Sequence, residues 1–401
     1  MSLEHPRHLN KDAKLLLLIS SLFTLANALS STFVNVYLWK LKKDFLLIGW
    51  FNLYQFLAMM ITFVIAGRLA KKMDRVLLLR LGVAILAIFY LVVLLFNKQA
   101  TNYYWILGWI LGIGQGFYWF AYHVLYFEIT EPDNRDIFNG MNGLVTSLGS
   151  MIAPLLSGWF LSTKVGTAGY QKVFLISLIV FFVAVILSFM FYKRKSEGKY
   201  MFKEVVYQTI HNQNWRRIFL AMISQGGREG AIVFLIGLLI YISTGNEFSL
   251  GTYTAVISGV SLITYYFVGR WMRKNWRKQA MMIGSLMMSL VLFPLFLKTS
   301  FTTLMVYGVG TSIFAPLYFI PLTTIVFDLI GENEKSVSLR GEYIVLREIG
   351  LNIGRILTIA IYLFLMHSIG KEAIRYLLLI SGSLPILATL LMRQVTHYRL
   401  K

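Results

Sequence analysis

Uncharged apolar runs of twenty or more residues dominate this chain, and no other feature restricts its fold so strongly. No Asp, Glu, Lys or Arg occurs from Leu15 to Trp39, from Phe45 to Gly67 or from Val173 to Tyr192. An α-helix rises about 1.5 Å per residue, so about 20 such residues cross the hydrocarbon core of a bilayer. A spanning segment finds no water there and must satisfy its own backbone hydrogen bonds, which a helix does. Twelve spans are read, at about 15–39, 45–69, 76–97, 103–127, 137–162, 171–192, 218–242, 249–269, 279–297, 303–329, 338–365 and 375–392. The expected fold class is an all-α membrane protein, with no polar stretch long enough for a soluble domain.

Composition and charge agree. Of 401 residues, 57% are hydrophobic and 14% charged, against about 25% charged in a typical soluble domain. A net charge of +20 would suggest a nucleic-acid partner in a soluble protein. Here the basic residues lie mostly between spans, so topology accounts for them and no nucleic acid is expected. With both termini inside, 26 of the 38 Lys and Arg fall in cytoplasmic segments and 9 in outer ones, including the awkward trio Lys40, Lys42 and Lys43. That asymmetry predicts both termini in the cytoplasm, and the plasma membrane is the expected location. The absence of cysteine excludes disulfides, thiolate metal sites and a cysteine nucleophile. No metal-ligand spacing, nucleotide loop or clustered nucleophile and base is found, so neither an enzyme nor a cofactor or metal is expected.

The stretch 193–217 separates two sets of six spans. Within it Met201, Phe202, Val205, Val206 and Ile210 recur at helical spacing. It reads as an amphipathic surface helix in a linker between two bundles, 1–192 and 218–401, with a lipid-sensing element as the alternative. The halves echo each other. Gly67, Arg68, Arg75 and Gly82 match Gly269, Arg270, Arg277 and Gly284 at an offset of 202, with Lys71, Asp74 and Arg273 in the same two basic loops. Phe127-Glu128 matches Phe327-Asp328, and Gly149-x-x-x-Ala153 matches Gly350-x-x-x-Gly354. Three echoes in register argue for two homologous six-helix halves.

At these positions the chain resembles the major facilitator superfamily over its whole length. The family carries G-x-L-A-D-R-x-G-R-K between its second and third helices, and Gly67, Leu69, Ala70, Lys72 and Arg75 sit on matching positions. Lys71 replaces the family's Asp, and Asp74 replaces a Gly. The resemblance implies that the Asp latches one conformation, so the latch here should use Asp74 or be weak. Gly149, Ala153, Pro154 and Gly158 resemble the antiporter motif G-x-x-x-G-P-x-x-G-G, and Gln115-Gly116 resembles the end of R-x-x-Q-G, with Gly112 in place of the arginine. The likeness to drug-efflux bacterial members is therefore partial. Small residues four apart also permit close helix packing in any membrane bundle. The resemblance implies two pseudo-symmetric bundles rocking about a central cavity lined by helices 1, 4, 7 and 10.

Charges within spans sharpen the expectation, since each costs roughly 2.5–3.5 kcal/mol near the bilayer centre on insertion scales. Gln225, Arg228 and Glu229 lie in span 7, and Arg347, Glu348, Asn352 and Arg355 in span 11. Glu348, Asn352 and Arg355 share a helix face. The expectation is that Arg228 and Glu229 face Arg347 and Glu348 across one polar space. The arginines would bind an anionic or zwitterionic head group and a glutamate would carry a proton; an interhelical salt-bridge network is the alternative. Arg355 could instead snorkel outward. Asn27, Gln115, Trp119, Tyr122 and His123 are expected to form an opposite, aromatic and uncharged wall, or else to be packing residues. The function expected is alternating-access, proton-coupled export of a small amphiphilic or anionic solute by a monomer in the lipid bilayer, or flipping of a lipid-like substrate on the same fold.

Overall fold

The computed structural model describes residues 9–130, 135–192, 199–331, 336 and 338–395, and every regular element among them is helical. The start of the linker (193–198) and both extreme termini, for which the sequence predicts cytoplasmic positions, lie outside these residues. The helices are α1 (Lys11–Lys42), α2 (Phe45–Leu69), α3 (Arg75–Phe96), α4 (Tyr104–Ile129), α5 (Arg135–Ser162), α6 (Ala168–Ser188), α7 (Phe202–His211), α8 (Gln213–Thr244), α9 (Glu247–Trp271), α10 (Arg277–Leu290), α11 (Phe293–Leu297), α12 (Phe301–Ile330), α13 (Arg340–Ile369) and α14 (Ala373–Arg393). Among the described residues ten helical segments are long and apolar enough to cross a bilayer. One of them, Arg340–Arg393, holds both α13 and α14. The 26-residue α4 is not among the ten; it carries seven Trp and Tyr together with Gln115, His123 and Glu128.

Local chemistry sets the ends. Asn10, Asp44, Asp74, Asn212 and Asn246 each accept a hydrogen bond from a backbone N–H of the first turn that follows, which supplies donors a helix start leaves unpaired. Ser300 and Thr303 close a capping box at α12. Gly245 ends α8 at φ 67°, a left-handed position that glycine adopts without steric cost. The expected span 279–297 is broken into α10 and α11. Pro294 stands in the first turn of α11, and a proline cannot continue a helix that enters it from behind. The predicted amphipathic helix is α7, packed on α8 and α13.

Packing pairs repeat along the chain. In the first half α1 packs on α5 and α6, α3 on α4 and α6, and α2 on α4. In the second, α8 packs on α13 and α14, α10 on α12 and α14, and α9 on α12. Each pair in the first set has its counterpart in the second. The two sets meet along α2 with α13 and α5 with α9, and more lightly along α1 with α8.

Glycines let helices approach where charge must be held at depth. A Cβ on Gly226 would strike the Leu351 carbonyl, and one on Gly354 would strike the Ile223 carbonyl and lie 2.5 Å from the Gly227 nitrogen. This brings the backbones of α8 and α13 together beside their charged residues.

Candidate functional site

The close α8–α13 approach sets two charged helix faces against one cavity. Its volume is about 190 Å³, and its lining includes Gln225 and Glu229 from α8, Arg347, Glu348 and Arg355 from α13, and His123 from α4. Glu229 is the most heavily bonded group. Arg355 donates to its Oε2 from Nε at 3.0 Å and Nη2 at 2.5 Å, and Gln225 Nε2 donates to Oε1 at 2.7 Å. Arg355 also donates to Asn352 Oδ1 at 3.1 Å and lies 5.2 Å from the ring of Phe56 on α2. It therefore points inward and does not snorkel. The buried Glu348 is held by its own neighbour, with Arg347 Nη1 at 3.0 Å, while the Asn352 amide donates to the Glu348 backbone carbonyl. The side chain of Glu348 so remains less constrained than that of Glu229.

Two expectations need correcting. Arg228 is not among the residues lining this cavity: it is 9% exposed, and its guanidinium lies 5.9 Å from the ring of Phe319 on α12. Helix α8 turns Arg228 toward Phe319 of α12 and Glu229 toward Arg355 of α13. The uncharged wall is also largely elsewhere. Asn27 and Gln115 line a separate cavity of about 260 Å³ with Asn35, Asn52 and Gln55, closed by Val233 and Phe234 of α8. Gln55 donates to Gln115 at 2.9 Å and Asn52 to Asn35 at 2.9 Å. Trp119 and Tyr122 stack edge to face with one another and pack on the core around Phe23 and Tyr118, so packing describes them better than a cavity wall. Of the aromatic group only His123 reaches the charged cavity, with its ring 5.9 Å from Trp119.

Ion pairs join the two packing sets at both ends. At the end carrying the basic loops, Lys71 Nζ lies 3.2 Å from Glu342 Oε1 in the first turn of α13, and the linker's Met201 N–H donates to the same oxygen at 3.3 Å. Tyr200 lies beside Glu342, and burial pushes its phenol well above the usual range, so it stays neutral. Arg75 pairs with Glu128, and Arg340 lies 3.7 Å from Glu128. The Phe127 and Phe327 rings meet at 5.5 Å between them. The Asp74 carboxylate caps α3. A lysine replaces the family's acid, and an acid stands on the receiving helix. Arg277 pairs with Asp328 at 2.9 Å, as Arg75 does with Glu128, so the two sequence echoes are physically one repeated ion pair. Arg68, Arg270 and Arg273 are exposed. A Cβ on Gly67 would come within 2.8 Å of Val345, but one on Gly269 meets nothing within 4 Å, so the expected tightness holds at only the first of these glycines.

At the opposite end Lys40 Nζ lies 2.7 Å from Glu247 Oε1, which also accepts from the Tyr170 hydroxyl at 2.8 Å. This accounts for one of the awkward lysines and was missed in the sequence, where nothing links residues so far apart. Of the packing residues, Ala153 is buried beside Pro154, and Gly158 leaves a would-be Cβ only 2.6 Å from the Glu247 carbonyl. Gly350 faces Met222 at 3.1 Å, and Gly149 makes only ordinary contact with Thr24.

The sequence model described as Major Facilitator Superfamily matches residues 16–274 and 218–398. The chain belongs to the major facilitator superfamily. It is 44% identical over 363 residues to a Bacillus subtilis (strain 168) protein named "Uncharacterized protein YqgE", covering 90% of this chain and 84% of that one. It is 49% identical over 166 residues to a Geobacillus stearothermophilus "Uncharacterized protein in sodM 3'region", covering 41% of this chain and 78% of that one. A solved D-xylose-proton symporter superposes with a TM-score of 0.74 at 12% identity, covering 96% of this chain and 97% of that one. The human organic anion transporter MFSD10 (TETRAN) superposes at 0.67 and 14%, covering 97% and 100%. The E. coli fucose:proton symporter FucP superposes at 0.67 and 15%, covering 96% and 98%. At these identities the structures establish the fold alone, and with the family match they make this superfamily member a transporter rather than an enzyme.

Proposed function

We propose that the chain crosses the plasma membrane twelve times as two six-helix bundles, 1–192 and 218–401, with the end bearing the basic loops in the cytoplasm. Residues 193–217 form the linker between them. The matched packing pairs and the repeated Arg75–Glu128 and Arg277–Asp328 ion pairs support the two-bundle reading. The protein works by alternating access, as proton-coupled export of a small amphiphilic or anionic solute. The observation that carries this is the charged cavity between α8, α13 and α4. Glu229 is committed to Arg355 and Gln225, which leaves Glu348, paired only with the adjacent Arg347, as the proton carrier of this reading and Arg347 as the group that meets an anion once that pair opens. The match to a solved organic anion transporter agrees with an anionic solute, and two matched structures are proton symporters. The partial antiporter motif is the support for export. The protein acts as a monomer in this reading. Flipping of a lipid-like substrate is the second reading, favoured by the open groove described below. The test is purified protein in liposomes with an internal pH dye, challenged with a panel of organic anions and neutral solutes. Solute-dependent proton movement with anions supports the reading, and its sign gives the direction. Movement with sugars only, or solute flux with no proton movement, refutes it.

A further inference from the structure

Arg228 is the one deep charge that the proposed site does not use. It is 9% exposed, and among the described residues its guanidinium makes no hydrogen bond or ion pair; what it faces is Phe319. Its neighbour Glu229 is taken by Arg355. An arginine held in a membrane interior without a partner is costly unless an anion comes to it.

Phe319 and Thr323 line two cavities at once. One is the charged cavity; the other is a groove of about 520 Å³ between α9 and α12, lined also by Tyr265, Ile320 and Thr324. Helices α5 and α9 touch at one end and leave space at the other. Toward the Lys40 end these helices touch, with Gly158 against Glu247 and Gly251, and Ser258 donating to the Ser150 carbonyl at 3.2 Å. Toward the basic end, a Cβ on Gly140, Gly143 or Gly269 would meet nothing within 4 Å. The direct path out at that end is covered by the Phe127–Phe327 ring contact and the Lys71–Glu342 pair.

We infer that the substrate is a single-chain amphiphile with a carboxylate or phosphate monoester head. It reaches the protein sideways from the inner leaflet between α5 and α9, seats its head on Arg228 and lays its chain along Tyr265, Phe319 and Ile320. The inference rests on the transporter reading and narrows its substrate: Arg228 is the seat on entry, ahead of Arg347 in the adjoining charged cavity. An unpaired guanidinium supplies the forked donors such a head accepts, and the groove beside it supplies the apolar bed. The bilayer is the source, because an amphiphile with a long alkyl chain partitions into it.

The test is equilibrium binding of radiolabelled dodecyl phosphate to the full chain in neutral-lipid nanodiscs. Methyl phosphate serves as the head without a tail, and dodecanol as the tail without a head. Binding is expected to fall about tenfold or more in Arg228→Gln, to recover in part in Arg228→Lys, and to fall several-fold in Tyr265→Ala, whose ring is partly exposed and whose loss leaves the core packed. Neither methyl phosphate nor dodecanol should compete. The chain has no cysteine, so a Gly140→Cys/Gly269→Cys pair can be bridged by a reducible bifunctional thiol reagent without side reactions, and the bridge should block binding until it is reduced. Absence of binding to the native protein, unchanged affinity in Arg228→Gln, or competition by methyl phosphate equal to that of dodecyl phosphate would overturn the inference. Proton movement with other anions in liposomes would then still uphold the transporter reading, because that assay does not depend on this ligand.

Discussion

Two glutamates sit in one membrane cavity, and their surroundings separate their roles. Glu229 holds three short bonds from Arg355 and Gln225, so removing Arg355 strands a carboxylate in the bundle. Arg355→Gln is expected to cost about 3 kcal/mol, read as a lowered Tm in detergent, because breaking a buried pair leaves an uncompensated charge. Glu348 leans only on the adjacent Arg347 and its own helix. Glu348→Gln should keep most of the Tm and abolish gradient-driven flux in liposomes; wild-type flux would remove it as the proton carrier. The sequence showed that these charges lay at similar depth, and depth is a matter of counting residues. It could not show that Arg228 turns toward α12, because which neighbour fills each side of a helix is settled by packing.

At the scale of helices, close approach separates glycines that look alike in the sequence. Gly354 has the Ile223 carbonyl and the Gly227 nitrogen where a side chain would go, so Gly354→Leu must push α13 off α8. Overpacking of this kind costs about 1–3 kcal/mol or more, and the variant should show a lowered Tm and loss of transport. Gly269→Val should be tolerated in both measurements, because its Cβ position is open. Gly67 and Gly269 occupy equivalent places in the repeat, yet only Gly67 has a linker tyrosine and Val345 against it. The repeat was legible because it is written in residue types; the asymmetry was not, because the linker joins one side only.

For the whole molecule, the ion pairs at the two ends oppose each other. Lys40–Glu247 joins the two packing sets at the Lys40 end, and Lys71–Glu342 joins them at the basic end. Partly buried pairs of this sort contribute about 1 kcal/mol each, a factor of about five in a two-state population. Lys40→Ala should raise labelling of Asn35→Cys by an impermeant maleimide from outside by about that factor, and Lys71→Ala should lower it. The double exchange Lys71→Glu with Glu342→Lys should restore the native labelling rate. If Lys40→Ala leaves labelling unchanged, the pair does not bias the equilibrium.

Several properties followed from the sequence alone: a helical membrane fold, residue echoes at offsets of 200 to 202, basic loops between apolar runs, and charges within the apolar runs of α8 and α13. Each depends on residue type, run length or offset, and a lipid solvent imposes such constraints on every segment separately. The tertiary structure alone decided which acid answers Lys71, that Lys40 meets Glu247, that the polar space is two cavities, and that Arg228 lies against Phe319 rather than in the charged cavity. Each of these joins residues far apart in the chain, and which of them meet depends on how the helices turn against one another and where glycine lets them touch.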